Sequence, residues 1–272
     1  MKRPPASNRK AGEMQNVLSI FWREYKSYFV SPIAYVVIGV FLFLVANRFV
    51  YKFNDFVQLT FESISEAVTY QQTIPKFSIN DSVIRYLFQH MRNISLFLLP
   101  MITMRLFAEE RKTGTLELLL TSPLTITQLV LGKFLSAFVL FLTMVLPTAG
   151  FIYYVFLYGN PDIGPVLTGY AGIVLYGAAV ISIGTLISSL TENQIIAGAL
   201  TFGAFLFLWI VGRVGEGTVG VWSKIANYIS ITAHFTNFSM GVIDSRDVLF
   251  YLSFCFIGLF FTHQSITSLR WR

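Results

Sequence analysis

The chain has 272 residues, 54% hydrophobic and 12% charged, about half the charge density of a soluble domain. With a mean hydropathy of +0.63, that excludes an ordinary soluble fold and points to a polytopic membrane protein. The net charge of +6 does not mark a nucleic-acid binder, because the basic residues gather at the termini and membrane flanks instead of on one soluble surface. A single cysteine, Cys255, lies in an apolar run and gives neither a disulfide framework nor a thiolate metal set.

In chain order, residues 1–12 are read as a disordered tail, with no small-residue cleavage site of a secretory signal behind it. Met14, Val17, Leu18, Phe21, Trp22, Tyr25, Tyr28 and Phe29 then recur at helical spacing, with Asn16, Ser19, Arg23, Lys26 and Ser27 opposite. This predicts an amphipathic interfacial helix over 13–30, anchored by Trp22, Arg23, Tyr25 and Lys26. Ser31-Pro32 supplies an N-cap and a first-turn proline that separate this helix from the first membrane span at 32–50. Further spans fall at 86–107, with Pro100 as a kink, and at 128–157, unusually long and holding Pro147. The last three fall at 165–190, 194–211 and 248–267. Each approaches or exceeds the roughly 20 residues that cross a bilayer core. Residues 13–272 thus read as one all-α membrane domain of six spans. The connections are a polar 51–85 with short helices, a brief turn near 159–161 and a long 212–247.

An even number of spans puts both termini on one side. Lys2, Arg3, Arg9, Lys10, Arg23, Lys26, Arg105, Arg111, Lys112, Lys133, Arg270 and Arg272 share that side, twelve of the 20 basic residues. The positive-inside rule makes it cytoplasmic.

Residues 109–123 read Glu-Glu-Arg-Lys-Thr-Gly-Thr-Leu-Glu-Leu-Leu-Leu-Thr-Ser-Pro between two apolar spans. Glu109, Glu110, Arg111 and Lys112 do not belong in hydrocarbon, so the segment lies at a membrane face. Leu116, with Leu118, Leu119 and Leu120, then needs lipid headgroups or a partner groove to cover it. A single helix over 109–120 is expected.

Catalytic hardware is missing. No Gly-x-x-x-x-Gly-Lys-Ser/Thr loop occurs, so the chain does not bind ATP by a phosphate loop of its own. Gly215-Glu-Gly217-Thr-Val-Gly220 matches a dinucleotide fingerprint but follows a membrane helix, and is read as a flexible connection. His90, His234 and His263 are far apart, and no Cys-x-x-Cys pair or His-Glu-x-x-His helix is present. Arg92 and Arg105 fall near opposite ends of the second span and are read as snorkelling anchors, or as lining a path between subunits. Small residues in the fourth and fifth spans, among them Gly172, Gly177, Gly184, Gly198 and Gly203, indicate tight packing within the bundle, or a seam with a second subunit.

Phe107-Ala-Glu-Glu-Arg-Lys-Thr-Gly-Thr-Leu-Glu-Leu-Leu-Leu-Thr-Ser-Pro-Leu124, followed by Gly132-Lys133, resembles the segment after the second span in permease subunits of ABC-2 type transporters. His234-Phe235, Phe238, Gly241-Val-Ile-Asp244 and Asp247 resemble the branch holding the gliding-motility permease and the copper-enzyme maturation permease of denitrifiers. The proline usual before the histidine is absent, where Ser230-Ile-Thr-Ala-His234 reads through. The likeness covers almost the whole chain. It implies a type V exporter-like fold with a connecting helix, a coupling helix between spans two and three, and short re-entrant or external helices between spans five and six. It implies a bacterial inner-membrane complex of two permease subunits, identical or paralogous, with two separate ABC ATPase subunits that hold ATP and Mg. This chain itself would be non-catalytic and cofactor-free. Membrane lipids would surround it, and an extracytoplasmic or second membrane protein stays open as a further partner. Glu110, four residues before Gly114, takes the place of the family's coupling glutamate; with Glu109, Arg111, Thr115, Leu116, Glu117 and Leu119 it forms the ATPase-coupling set.

The leading reading is an ATP-driven export permease. The alternative is an ATP-powered mechanical or scaffold component, serving motility or envelope assembly, that moves no solute. An integral-membrane enzyme is disfavoured, since no nucleophile–base or metal constellation is evident.

Overall fold

The computed structural model describes residues 6–71, 73, 77–121, 124–217 and 220–270, without the side chains of 6–13, Leu120 and Glu216. Every regular element among them is helical, and six helical stretches are long and apolar enough to cross a membrane. The protein is a multi-pass membrane protein.

α1, Ala6–Val30, begins inside the stretch read as a disordered tail; residues 1–5 of that tail lie outside the described residues. It stops at Ser31, whose hydroxyl accepts a hydrogen bond from Ile33 N and caps α2, Pro32–Tyr70. The span expected to end at residue 50 therefore continues to 70. Its 39 residues reach about 58 Å at 1.5 Å per residue, nearly twice a hydrocarbon core of about 30 Å. Neither glycine nor proline interrupts residues 51–70, so the polar composition that suggested a loop does not break the helix. Lys52 and Asp55, 2.9 Å apart one turn on, support the extension. Gln71, at φ 51, ends it in the left-handed region.

One π-helical turn, Asn80–Ile84, leads into α3, Arg85–Thr103. Two short helices follow, α4, Ala108–Thr113, and α5, Thr115–Thr121. The long third span is divided: α6, Ile126–Val145, gives way to a 3-10 turn at Leu146–Thr148 and then α7, Ala149–Tyr158. Pro147 lacks the amide that would continue the ladder. α8, Ile163–Leu190, and α9, Gln194–Gly217, complete spans four and five. The long connection after them carries α10, Val221–Ile229, and α11, Ala233–Ser239, before α12, Ser245–Leu269. Gly215 and Gly217 are helical, not a flexible connection, and Ser223 Oγ of α10 donates back to Gly215 O at 2.7 Å.

α8 is the centre of the bundle, packed by α3, α6, α9, α11 and α12. Its glycines receive aromatic rings: Phe141 seats on Gly177 and Phe238 on Gly172. The small residues of the fourth span therefore serve packing within the chain. α2 lies at the edge, against α1, α3 and α6. Ser265 Oγ of α12 donates to Ser189 O near the end of α8, and α1 packs along α6, so the first and last helices gather at the α4 end of the bundle.

Candidate functional site

The charged segment after the second span is not one rod but a corner. Gly114, at φ 73, closes α4 with its N–H on Arg111 O at 3.3 Å, a left-handed position that an L side chain rarely adopts. Thr113 and Thr115 hydroxyls lie 2.9 Å apart across it. Ser122 and Pro123, which close the motif, lie outside the described residues.

The inner face of α4 is built on charge. Glu110 turns into the protein: Oε1 is 2.9 Å from Lys133 Nζ and 3.7 Å from the Arg23 guanidinium, while Oε2 is buried without a hydrogen-bond partner. Lys133 is 1% exposed, sits 3.3 Å from Glu24 Oε2 and lies 5.4 Å from the centre of the Phe107 ring. Arg23 also bonds Glu24 at 2.7 Å. Two cations and two carboxylates thus join α1, α4 and α6, and the buried lysine has the counter-charges its position demands. Burial works against ionising Glu24, but Lys133 and Arg23 outweigh it and hold its carboxyl below the ordinary 4.5. Beside the cluster, Arg105 pairs with Glu109 at 3.3 Å and stacks over Tyr28 at 5.6 Å. These residues line a cavity of about 270 Å³.

The other side of α4 is tied to α8. Ser188 Oγ accepts from Phe107 N at 3.0 Å and Ala108 N at 3.1 Å and donates to Met104 O at 3.0 Å. It thereby satisfies the open amides at the start of α4. Arg111 donates to Ser189 O at 2.8 Å and pairs with Glu192 at 3.0 Å. Of the predicted coupling set, Glu110 and Arg111 therefore face inward, and Leu116 is buried in the core instead of presented to a partner. Leu119 is half-buried, and Thr115 and Glu117 are exposed. Leu118, which the set omits, is the apolar side chain that stands out among the described ones of this corner, 71% exposed.

α1 carries two faces where the sequence pattern suggests one. Met14, Leu18 and Trp22 are exposed, with the Lys26 ammonium 6.0 Å from the Trp22 ring. A second face, Ile20, Glu24 and Tyr28 at steps of four, is turned to α6. Close approach needs Gly132: a Cβ there would fall 2.7 Å from Ile20 Cγ2 and 3.3 Å from Val17 O. Tyr25 reaches Thr143 through a 3.0 Å hydroxyl contact. α6 starts with a capping box, Thr125 with Gln128, and Gln128 Oε1 also accepts from Asn16 at 3.5 Å. Sequence reading missed Glu24 and Lys133 as site residues. The available signal was Gly132-Lys133, a charge one residue from a small contact position, but of its two partners Glu110 lies 23 positions before it and Glu24 109.

At the opposite end, His234 Nδ1 is 2.6 Å from Asp247 Oδ1 and Nε2 is 3.1 Å from Tyr228 O. Both nitrogens face acceptors, so both bonds form only when the ring holds two protons. Asn237 donates to the second Asp247 oxygen at 2.8 Å, and Phe250 stacks on the imidazole at 3.9 Å. Arg92 is no snorkelling anchor: it donates to Thr232 O at 3.1 Å and stacks over Phe235, docking α11 against α3. Among the described residues no three His, Cys, Asp or Glu side chains group as a metal site requires.

Comparison with known proteins matches the chain, over residues 18–238, to a family model described as ABC-2 family transporter protein. The chain is also similar to the probable multidrug ABC transporter permease YbhR of Escherichia coli, in strains K12 and O157:H7. Identity is 32% over 141 residues, covering 50% of this chain and 37% of that protein. The alignment thus spans well under half of the relative's length.

Proposed function

The chain belongs to the ABC-2 transporter family, and on that premise we propose that it is the non-catalytic membrane subunit of an ATP-driven exporter. In this reading a separate ABC ATPase docks on the α4–α5 corner at the cytoplasmic face, and its ATP cycle moves the spans to carry a cargo across the membrane. One observation supports this above the rest: the corner exposes Leu118 on its outer side while its inner side is bonded to α1, α6 and α8. A leucine offered to an apolar socket gives attachment. Rigid polar ties behind it transmit displacement to three packed helices. The chain carries no phosphate loop, so in this reading hydrolysis belongs to the partner.

The test is co-purification of the cognate ATPase with the permease in detergent, together with its permease-stimulated rate. Leu118→Asp sets an unpaired carboxylate against an apolar socket. Association and stimulation are expected to be lost while the thermal midpoint of the permease stays at the wild-type value. Leu118→Asp protein that keeps both association and stimulated rate would remove the corner from the coupling path.

A further inference from the structure

At the end of the bundle away from α4, α2 and α3 border two cavities that share Arg48 and His90. The first, about 200 Å³, carries Arg48, Lys52, Tyr86 and His90 over Phe49 and Leu87. The second, about 570 Å³, runs further toward α4 along Leu44, Ile94 and Phe97, beside Asn47 and Asn93. Counted from Pro32, Arg48 lies about 24 Å and Lys52 about 30 Å along α2 at 1.5 Å per residue. A hydrocarbon core is about 30 Å thick. The cations therefore stand at the far boundary of the membrane, among lipid headgroups, and the apolar cavity opens beneath them among acyl chains. Leu44 and Phe97 are 40% and 55% exposed there. Charge in this groove is unbalanced. Lys52 is bridged by Asp55 at 2.9 Å and lies 4.8 Å from the centre of the Tyr86 ring. None of the ion pairs among the described residues includes Arg48. Asn93 gives its oxygen to Arg92 at 2.9 Å, which leaves its amide nitrogen to donate.

We infer that this groove binds an anionic phospholipid, its phosphate headgroup held by Arg48, Lys52 and His90 and one acyl chain lying along Leu44, Ile94 and Phe97. A guanidinium at a membrane boundary calls for a counter-anion, and phosphate oxygens match its planar fork of donors. An arginine that only snorkels needs one helix. Here Tyr86 and His90 of α3 close round the same space as Arg48 and Lys52 of α2, so the cations form a two-sided pocket. The second cavity decides the class of anion. Free phosphate would answer the cations and leave the apolar walls of Leu44 and Phe97 uncovered. A zwitterionic lipid would cover those walls but bring its own cation toward Arg48. A lipid with a net negative head uses both parts, and its place between α2 and α3 ties the edge helix to the bundle. The inference is independent of what docks on the α4–α5 corner.

The experiment is native mass spectrometry of the full-length chain in mild detergent, titrated with dioleoyl phosphatidylglycerol or dioleoyl phosphatidylcholine. A further arm adds excess inorganic phosphate to the lipid-bound protein. Phosphatidylglycerol is expected to bind about tenfold more tightly than phosphatidylcholine, since two cations near a headgroup each add to the attraction. Arg48→Gln combined with Lys52→Gln is expected to bring that preference to about twofold or less, with phosphatidylcholine binding at the wild-type value as the sign of an intact fold. Arg48→Lys, which keeps the charge, and Arg246→Gln, which removes an exposed arginine from the start of α12, are expected to retain the preference. Inorganic phosphate is expected to leave the lipid in place. Equal binding of the two lipids by wild type, a preference that survives in the double variant, or displacement of lipid by inorganic phosphate would each overturn the site.

Discussion

Lys133 is the residue on which the junction of α1, α4 and α6 turns. It is buried to 1% exposure between Glu24 and Glu110, and neither carboxylate has another cation as close as Lys133 except Arg23 beside Glu24. Lys133→Met keeps the stem's volume and deletes the charge. It is expected to cost about 3–5 kcal/mol, the usual penalty for stranding a buried partner, seen as a lower thermal midpoint in detergent. Adding Glu110→Gln to Lys133→Met is expected to recover part of that loss; an additive further loss would show the pair to be uncoupled. The same cluster sets a pH dependence. Glu24 has a folded value below its unfolded one, so its contribution is present in full above about 4.5 and fades as pH falls through the lower folded value. Glu24→Gln is therefore expected to be less stable than wild type at neutral pH, with the deficit shrinking below about pH 4. A deficit that stays constant across that range would mean that Glu24 is not an ionised partner of Lys133.

At the scale of elements, α1 is the piece most dependent on one contact. Gly132 has no room for a side chain, with Ile20 Cγ2 2.7 Å from an added Cβ. Gly132→Val forces the helices apart, an overpacking cost of about 1–3 kcal/mol, and pulls Glu24 away from Lys133. Limited trypsin digestion reads this directly: cleavage after Arg23 and Lys26 is expected to accelerate, with cleavage in the α4–α5 corner unchanged. Equal protection of α1 in wild type and variant would show that the glycine contact does not hold it. The corner itself is set by Gly114. Its left-handed φ directs Leu118 away from the bundle while Leu116 returns to the core, which explains how a leucine-rich run serves both the protein and an outside surface.

For the whole molecule, six spans leave both ends of the chain on one side, and the packing of α1 on α6 and of α12 on the end of α8 puts that side at α4. With the basic residues named above, that face is expected to be cytoplasmic. A reporter active only outside the cytoplasm, fused after Arg272, is expected to be silent, and one inserted at Asn160 active; the reverse pattern would invert the topology. At the far face the His234–Asp247 pair, Arg92 and the Tyr251 hydroxyl, which donates to Ile231 O at 2.8 Å, hold α10 and α11 against the bundle.

The membrane class, the six spans and the break at Ser31 were legible in the sequence, because apolar length, a capping residue and a proline act locally and leave a local signature. The break of the charged segment at Gly114 was not, since the sequence reading expected a single helix over 109–120 where a left-handed glycine divides α4 from α5. The length of α2 was not, since polar composition suggested a loop where nothing in the backbone chemistry stopped the helix. The orientation of the corner was not legible either. Which of Leu116 and Leu118 is covered, and whether Glu110 points to a partner or to Lys133, depends on a lysine 23 positions further along the chain and on Glu24, 86 positions before Glu110. Those pairings exist only once α1, α4 and α6 have packed, and a charge network spread over three helices has no periodicity by which a linear reading finds it.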